Sequence, residues 1–213
     1  MKDAELLTLL ERMHPSAECE LNFDTPYQLL VAVILSAQCT DKRVNLVTKD
    51  LFAKYPTPEA ILSMPQEELE KAIKSCGYYH NKAKNILAAT EMLLAEYGGV
   101  VPSDRVLLER LPGVGRKTAN VVYAVAFGGD AIAVDTHVFR LSHRLNLSQA
   151  NTPRGVEEDL SRRFPQETWS KLHHLLIHHG RYICKAISPN CGECLLHSVC
   201  RHYGENHNGE SEG

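Results

Sequence analysis

Residues 111–121 read LPGVGRKTANV. Gly113 and Gly115 flank a single valine, and Arg116, Lys117 and an apolar stretch follow at once. Glycines so placed let the backbone turn tightly and hand the chain straight to a helix. Lys117 then falls in the first turn, where the helix dipole is already positive and a cation is disfavoured. Either that lysine answers to a nearby anion, or its amine is there to give up a proton. The turn also exposes consecutive N–H groups at the helix start, a geometry that suits a phosphate oxygen. A plain helix–helix turn remains the alternative. The neighbouring Arg116 and Lys117 favour the phosphate, and contacts of that kind position a protein on DNA without reading sequence.

Outward from the turn, helical periodicity dominates. Leu6, Leu9, Leu10 and Met13 form one stripe; Val44, Val47, Leu51 and Tyr55 a second; Ile86, Leu87, Leu93, Leu94 and Tyr97 a third. Proline and glycine punctuate at 56–58, 98–99, 102, 112–115, 128–129 and 165, leaving segments of helix length. IAVD at 132–135 could pass for a strand, but a lone strand has nothing to pair with. The expectation is an all-α protein with short loops and a disordered polar tail, residues 204–213.

A chain of 213 residues can bury a real core, and 44% hydrophobic with 23% charged residues is an ordinary globular balance. The longest apolar run, LLVAVIL at 29–35, is too short to cross a membrane. MKDAELLTLL carries acids where a secretory signal needs a clean apolar stretch, which points to the reducing cytoplasm. The net charge of −3 argues against a uniformly basic protein. Charge is local, however: from Arg105 to Arg144 six bases face three acids, with His137 and His143 besides. That stretch permits a polyanionic partner without demonstrating one.

Four of seven cysteines crowd one C-terminal segment: Cys184, Cys191, Cys194 and Cys200, spaced C-x6-C-x2-C-x5-C. Four thiolates so close make a soft pocket for zinc or for an iron–sulfur cluster. Zinc ribbons use two C-x2-C pairs and only one is present, which leans the reading toward iron–sulfur. Cys19, Cys39 and Cys76 are scattered in apolar helices and read as buried small hydrophobes. Asp135 precedes an apolar-periodic segment and is either a helix N-cap or a proton-transfer partner for Lys117. His174 and His178 stand one turn apart in LHHLLIHHGR, but no HExxH glutamate accompanies them. With His173 and His179 they read as packing or phosphate-contact residues.

LPGVGRKTANVV, then VDTH, then the four-cysteine pattern together resemble the endonuclease III family, helix-hairpin-helix DNA glycosylases that are also apurinic/apyrimidinic lyases. ELNFDTPYQLLVAVILSAQCTD at 20–41 and HHGRYIC at 178–184 extend the likeness over nearly all residues before the tail. The resemblance implies two α-helical lobes. A six-helix lobe, residues 19–129, carries the helix-hairpin-helix at about 104–127. Residues 1–18 and 130–213 form the other lobe, with a [4Fe–4S] cluster on Cys184, Cys191, Cys194 and Cys200. Double-stranded DNA with damaged bases or abasic sites lies in the groove between them, bound by a monomer at the nucleoid.

By the same resemblance Lys117 is the nucleophile and Asp135 its partner from the other lobe. A helix N-terminus and partial burial both work against the ammonium charge, freeing an amine to attack C1′ of a flipped nucleotide. Gly113, Gly115 and Arg116 hold phosphates, and Lys185 in the cysteine loop presents a further charge to DNA. Gln38 of LSAQCTD plugs the gap left by the flipped base. Tyr78 of CGYYH stands where the family usually offers an aliphatic wedge, unless it packs under its loop. Oxidised pyrimidines are the implied substrates, with pyrimidine photodimers as an alternative. Two rivals are an adenine-mismatch glycosylase, which lacks the lysine and is longer, and a catalytically silent DNA-binding module. Lys117 and Asp135 together argue against both.

Overall fold

Threonine–proline pairs open three of the helices. Thr25-Pro26, Thr57-Pro58 and Thr152-Pro153 each place a hydroxyl that accepts a first-turn N–H just before a proline whose missing N–H costs nothing there. The computed structural model describes residues 3–207, and every regular element among them is helical. They are α1 (Asp3–Met13), α2 (Pro26–Ser36), α3 (Asp41–Lys54), α4 (Pro58–Leu62), α5 (Gln66–Ile73), α6 (Tyr79–Tyr97), α7 (Arg105–Glu109), α8 (Arg116–Phe127), α9 (Thr136–Arg144), α10 (Pro153–Arg163), α11 (Trp169–Tyr182) and α12 (Arg201–His207). Short 3₁₀ turns add to these at 74–76, 166–168, 191–193 and 197–199. The 132–135 run makes no strand; Ile132, Ala133 and Val134 are buried as an irregular lead into α9. No helix among the described residues is long and apolar enough to cross a membrane.

The chain divides into two compact units, residues 20–129 and residues 1–19 with 130–213. The first is built around α2. Every residue from Tyr27 to Leu35 is buried, all but Gln28 of them hydrophobic, so this helix is enclosed on all sides and packs on α3, α6 and α8. Burying each large aliphatic side chain contributes roughly 1.5–3 kcal/mol. Its one buried hydroxyl is satisfied: Tyr27 donates to Thr90 Oγ1 at 2.8 Å, and Thr90 donates to the Ile86 carbonyl at 2.6 Å. Residues 20–129 hold seven helices, α2 to α8, of which α4 and α7 are five residues each, too short to show as a periodic stripe.

The other unit gathers Leu6 and Leu10 of α1 with Val138 and Leu141 of α9, Val156 and Leu160 of α10, and Leu172, Leu175 and Leu176 of α11. α11 packs on both α9 and α1. Leu196 carries the cysteine segment into this core. The tail departs from expectation in part. Residues 204–207 continue α12, where the Arg201–Glu205 pair and the Tyr203–His197 ring stack support the turn; residues 208–213 lie outside the described residues.

Candidate functional site

The turn 111–115 is anchored by apolar residues and shaped by one glycine. Leu111 and Val114 are buried, and the Val114 N–H closes the turn on the Leu111 carbonyl at 3.0 Å. Gly113 has φ +76°, and a Cβ built there would lie 2.6 Å from the Cβ of Asn85 on α6. Left-handed backbone and close approach both require glycine. Before it, Asp104 caps α7 through a 3.0 Å bond from the Leu107 N–H. After it, Gly115 is the N-cap of α8 and has no side chain to cap with. The first turn of α8 holds no acid either. Gly113 and Gly115 are exposed, so uncapped N–H groups meet solvent beside Arg116 and Lys117. Arg116 lies 3.7 Å from Glu109, which also receives Arg105 at 3.1 Å.

Lys117 points away from the face of α8 that buries Ala119 and Val122. It is exposed, not partly buried as expected, because the two-glycine turn lifts the helix start clear of the core.

Two further loops of this unit carry strained tips. Gln38 has φ +54° and Tyr78 φ +46°, both left-handed, and a bulky residue there is uncommon. Tyr78 follows Gly77, stands as the N-cap of α6 and is 67% exposed. It does not pack under its loop. A feature that sequence reasoning missed joins the two tips. Lys82 is buried, and its Nζ donates to the Leu35 carbonyl at the end of α2 and to the Cys76 carbonyl before Gly77, both at 2.8 Å. Its only signal was a lysine inside the first turns of an apolar helix. Cys76 is buried as expected, but Cys19 and Cys39 are only half-buried.

In the other unit Asp135 is indeed the N-cap of α9. Its Oδ1 accepts the N–H groups of His137 at 2.9 Å and Val138 at 2.8 Å. The half-buried carboxylate keeps Oδ2 outside that cap. Burial lowers the His137 pKa, and Asp135 opposes this in part. Two arginines of α9, counted in the sequence only as charge, tie the cysteine segment down. Arg140 donates to the carbonyls of Gly180 and Cys184, each at 2.9 Å. Arg144 donates to the Lys185 carbonyl at 2.7 Å, to the Ala186 carbonyl at 3.0 Å and toward Cys184 Sγ at 3.2 Å. Their spacing of one turn on α9 was the available signal.

Cys184, Cys191, Cys194 and Cys200 line one cavity with Leu145 and Ile183. Several donors aim at the sulfurs: the Leu196 N–H at Cys194 and the Tyr203 N–H at Cys200, both at 3.4 Å. Burial pushes the Cys194 thiol up to about 11, and the three other cysteines add to the rise. Four sulfurs gathered around one cavity, three of them receiving N–H donors, are a donor set suited to a cation. Among the described residues no group of three or more His, Cys, Asp or Glu side chains is gathered as for a single metal ion. Lys185 is exposed in the loop they bound. Of the histidines of α11, His174 bonds the Ser170 carbonyl and His178 the Glu18 carbonyl, whereas His179 joins the cysteine cavity: its Nδ1 meets the ring of His14 at 3.0 Å and its Nε2 lies 3.6 Å from Cys194 Sγ.

Residues 31–166 match the model of the HhH-GPD superfamily base excision DNA repair proteins. The chain is 58% identical to endonuclease III of Bacillus subtilis over 190 residues, 89% of this chain and 87% of that one. It is 46% identical to endonuclease III of Escherichia coli over 201 residues, 94% and 95% of the two chains. Its fold superposes with TM-score 0.92 on a trapped endonuclease III–DNA covalent intermediate, at 50% identity over 97% of this chain and 98% of the other. A non-covalent endonuclease III–DNA complex gives the same score over 96% of each. The chain belongs to the endonuclease III family of the HhH-GPD superfamily, and is a DNA glycosylase and apurinic/apyrimidinic lyase of base-excision repair.

Proposed function

We propose that this enzyme removes oxidised pyrimidines from double-stranded DNA through a Schiff base on Lys117, with Asp135 as its acid–base partner. One observation carries the reading: a helix N-terminus with no side-chain cap, shaped by Gly113 and Gly115, puts an exposed lysine in its first turn. The N–H groups and Arg116 fit DNA phosphates, which places the backbone of a flipped nucleotide beside that amine. Lys117 Nζ attacks C1′ and the base departs. The imine that results makes the C2′ proton acidic, and β-elimination breaks the strand on the 3′ side. Asp135 retains Oδ2 beyond its capping duty, and an ionised carboxylate takes the proton from the attacking amine and stabilises the cationic intermediate. Gln38 and Tyr78, exposed at strained tips, fill the space that the flipped nucleotide vacates.

Cys184, Cys191, Cys194 and Cys200 fit a [4Fe–4S] cluster. Their C-x6-C-x2-C-x5-C spacing supplies only one of the two C-x2-C pairs that a zinc ribbon uses, and all four line one cavity. Such a cluster would hold the C-terminal segment in shape, and no step of the reaction runs through it. Lys185 then offers its charge to a phosphate. The test is borohydride added during turnover on abasic-site DNA. The protein should become covalently linked, Lys117→Gln should abolish linkage while keeping most of the phosphate-driven affinity, and Asp135→Asn should slow base release by about 10²-fold or more. Undiminished linkage in the lysine variant rules the assignment out.

A further inference from the structure

Lys82 carries a buried charge that glycosylase chemistry does not use. Its Nζ donates to the Leu35 carbonyl, in the last turn of α2, and to the Cys76 carbonyl, where the 3₁₀ turn at 74–76 ends, each at 2.8 Å. The end of a helix leaves such carbonyls without an N–H of its own, and a cation is favoured there. Among the described residues no carboxylate pairs with this ammonium. Burying a cation without one is costly, and methionine would fill the same space without that cost. What the charge secures is the two carbonyls. Each is tied closely to a strained tip. Leu35 stands three residues before Gln38, and the Cys39 N–H closes the turn between them on the Ser36 carbonyl at 3.0 Å. Cys76 stands two residues before Tyr78, whose own carbonyl accepts the Lys82 N–H at 3.1 Å. A left-handed glutamine or tyrosine persists only where its surroundings hold it. Here one side chain holds both.

We propose that Lys82 is a positioning residue for base release: its ammonium sets the spacing of Gln38 and Tyr78 at which both fill the gap left by a flipped nucleotide. The proposal rests on the reading that these two tips enter the base stack. Being buried, Lys82 meets no DNA and acts only through them. Two unlinked loops would each lose conformational freedom on entering the duplex, whereas loops already fastened to one anchor lose less. The anchor also fixes register. Groups that fill a stack must arrive together, and a displacement of about an ångström at such positions costs large factors in rate.

The experiment measures single-turnover base release by the purified holoprotein carrying Lys82→Met, which keeps the length of the side chain and removes its N–H donors. Release from a damaged duplex should fall about tenfold. At a lesion in a pre-formed bulge, with no stack to open, the loss should stay under about twofold. Adding Tyr78→Ala to Lys82→Met should cost under about a further twofold on duplex, since the tip it removes is already misplaced. Equal losses on duplex and bulge would mean that the lysine only stabilises the fold, and would overturn the proposal. So would independent losses, multiplying to about a hundredfold in the double variant. Should the methionine variant fail to fold, as judged by its thermal melt, Lys82→Gln goes through the same cycle with the same outcomes decisive. Its shorter amide keeps a donor without the reach to both carbonyls. The loop reading fails separately: if Tyr78→Ala and Gln38→Ala, each made alone, leave duplex release unchanged, Lys82 has no tip to act through.

Discussion

The hairpin at 111–115 and the cysteine segment at 184–200 are both short irregular stretches that present charge, yet they are held by opposite means. Leu111 and Val114 are buried beneath the hairpin and Gly113 presses on Asn85, so its shape follows from packing within residues 20–129. In the cysteine segment Leu196 alone is buried; the rest hangs on arginine hydrogen bonds, two 3₁₀ turns and N–H groups aimed at sulfur. One stretch is finished by its own side chains. The other, on the proposed reading, would be finished by a cluster bound to its sulfurs.

Removing one cysteine should expose that difference most sharply. The purified protein should contain about four irons per chain, and Cys194→Ser should lose iron and leave residues 184–200 open to protease. The hairpin should keep its protection, measured by amide exchange at α8. A colourless protein with stoichiometric zinc would overturn the cluster, and loss of protection at α8 would show that the two stretches fold as one.

The hairpin has its own point of failure. Gly113→Ala forces a left-handed residue into contact with Asn85, and strain with overlap together should cost about 2–4 kcal/mol. Because the damage is local to residues 20–129, iron content should stay normal while affinity for abasic DNA falls. An alanine variant with wild-type melting and affinity would show that the turn relaxes freely and that the glycine is dispensable.

These contrasts bear on what the sequence could tell. Gly113 was legible as a turn glycine, Asp135 as a helix cap and the four cysteines as one cluster, because a left-handed turn, a cap and a shared pocket each demand a residue type at a fixed spacing. The helices were legible from apolar periodicity, with caps such as Thr25-Pro26 agreeing. Lys82 was not, since its partners are backbone carbonyls, which leave no mark on composition. The exposure of Lys117 was misjudged because burial depends on how a turn is aimed, not on the residues that make it. α12 was taken for tail because glycine and polar residues hid a helix fastened by Tyr203 and Arg201.

Tyr78 tests the exposed side of the same unit. If it occupies the gap in the base stack, Tyr78→Ala should impair release of a damaged base from duplex DNA by about tenfold, within the 1–3 kcal/mol that stacking supplies per base. At a pre-formed bulge, where unstacking is already done, the loss should be under about twofold. Equal losses on both substrates would return Tyr78 to a packing role and leave Gln38 as the inserted group.

Mild acid should separate the two units by a smaller margin. Residues 20–129 hold one histidine, His80, exposed and paired with Glu70 at 2.7 Å. The other unit holds the buried ones. Burial pushes His179 down to about 4, with His14 adding to the effect, and burial likewise lowers His174. A histidine whose folded pKa is depressed stabilises the fold above its unfolded value near 6.5, and loses that contribution as pH falls toward the folded one. Between pH 7.5 and 5.5 the unfolded chain gains a proton that His179 refuses, a loss of about 1 kcal/mol for that group. Trp169, the single tryptophan, packs against the core of this unit and reports on it alone. Its fluorescence melt should drop by about 2–4 °C over that interval, with iron content unchanged, while amide protection at α8, corrected for the intrinsic pH dependence of exchange, holds steady. A melt that ignores pH, or an α8 that loosens in step with Trp169, would mean that acid sensitivity does not reside in the histidines packed beside the cysteine segment.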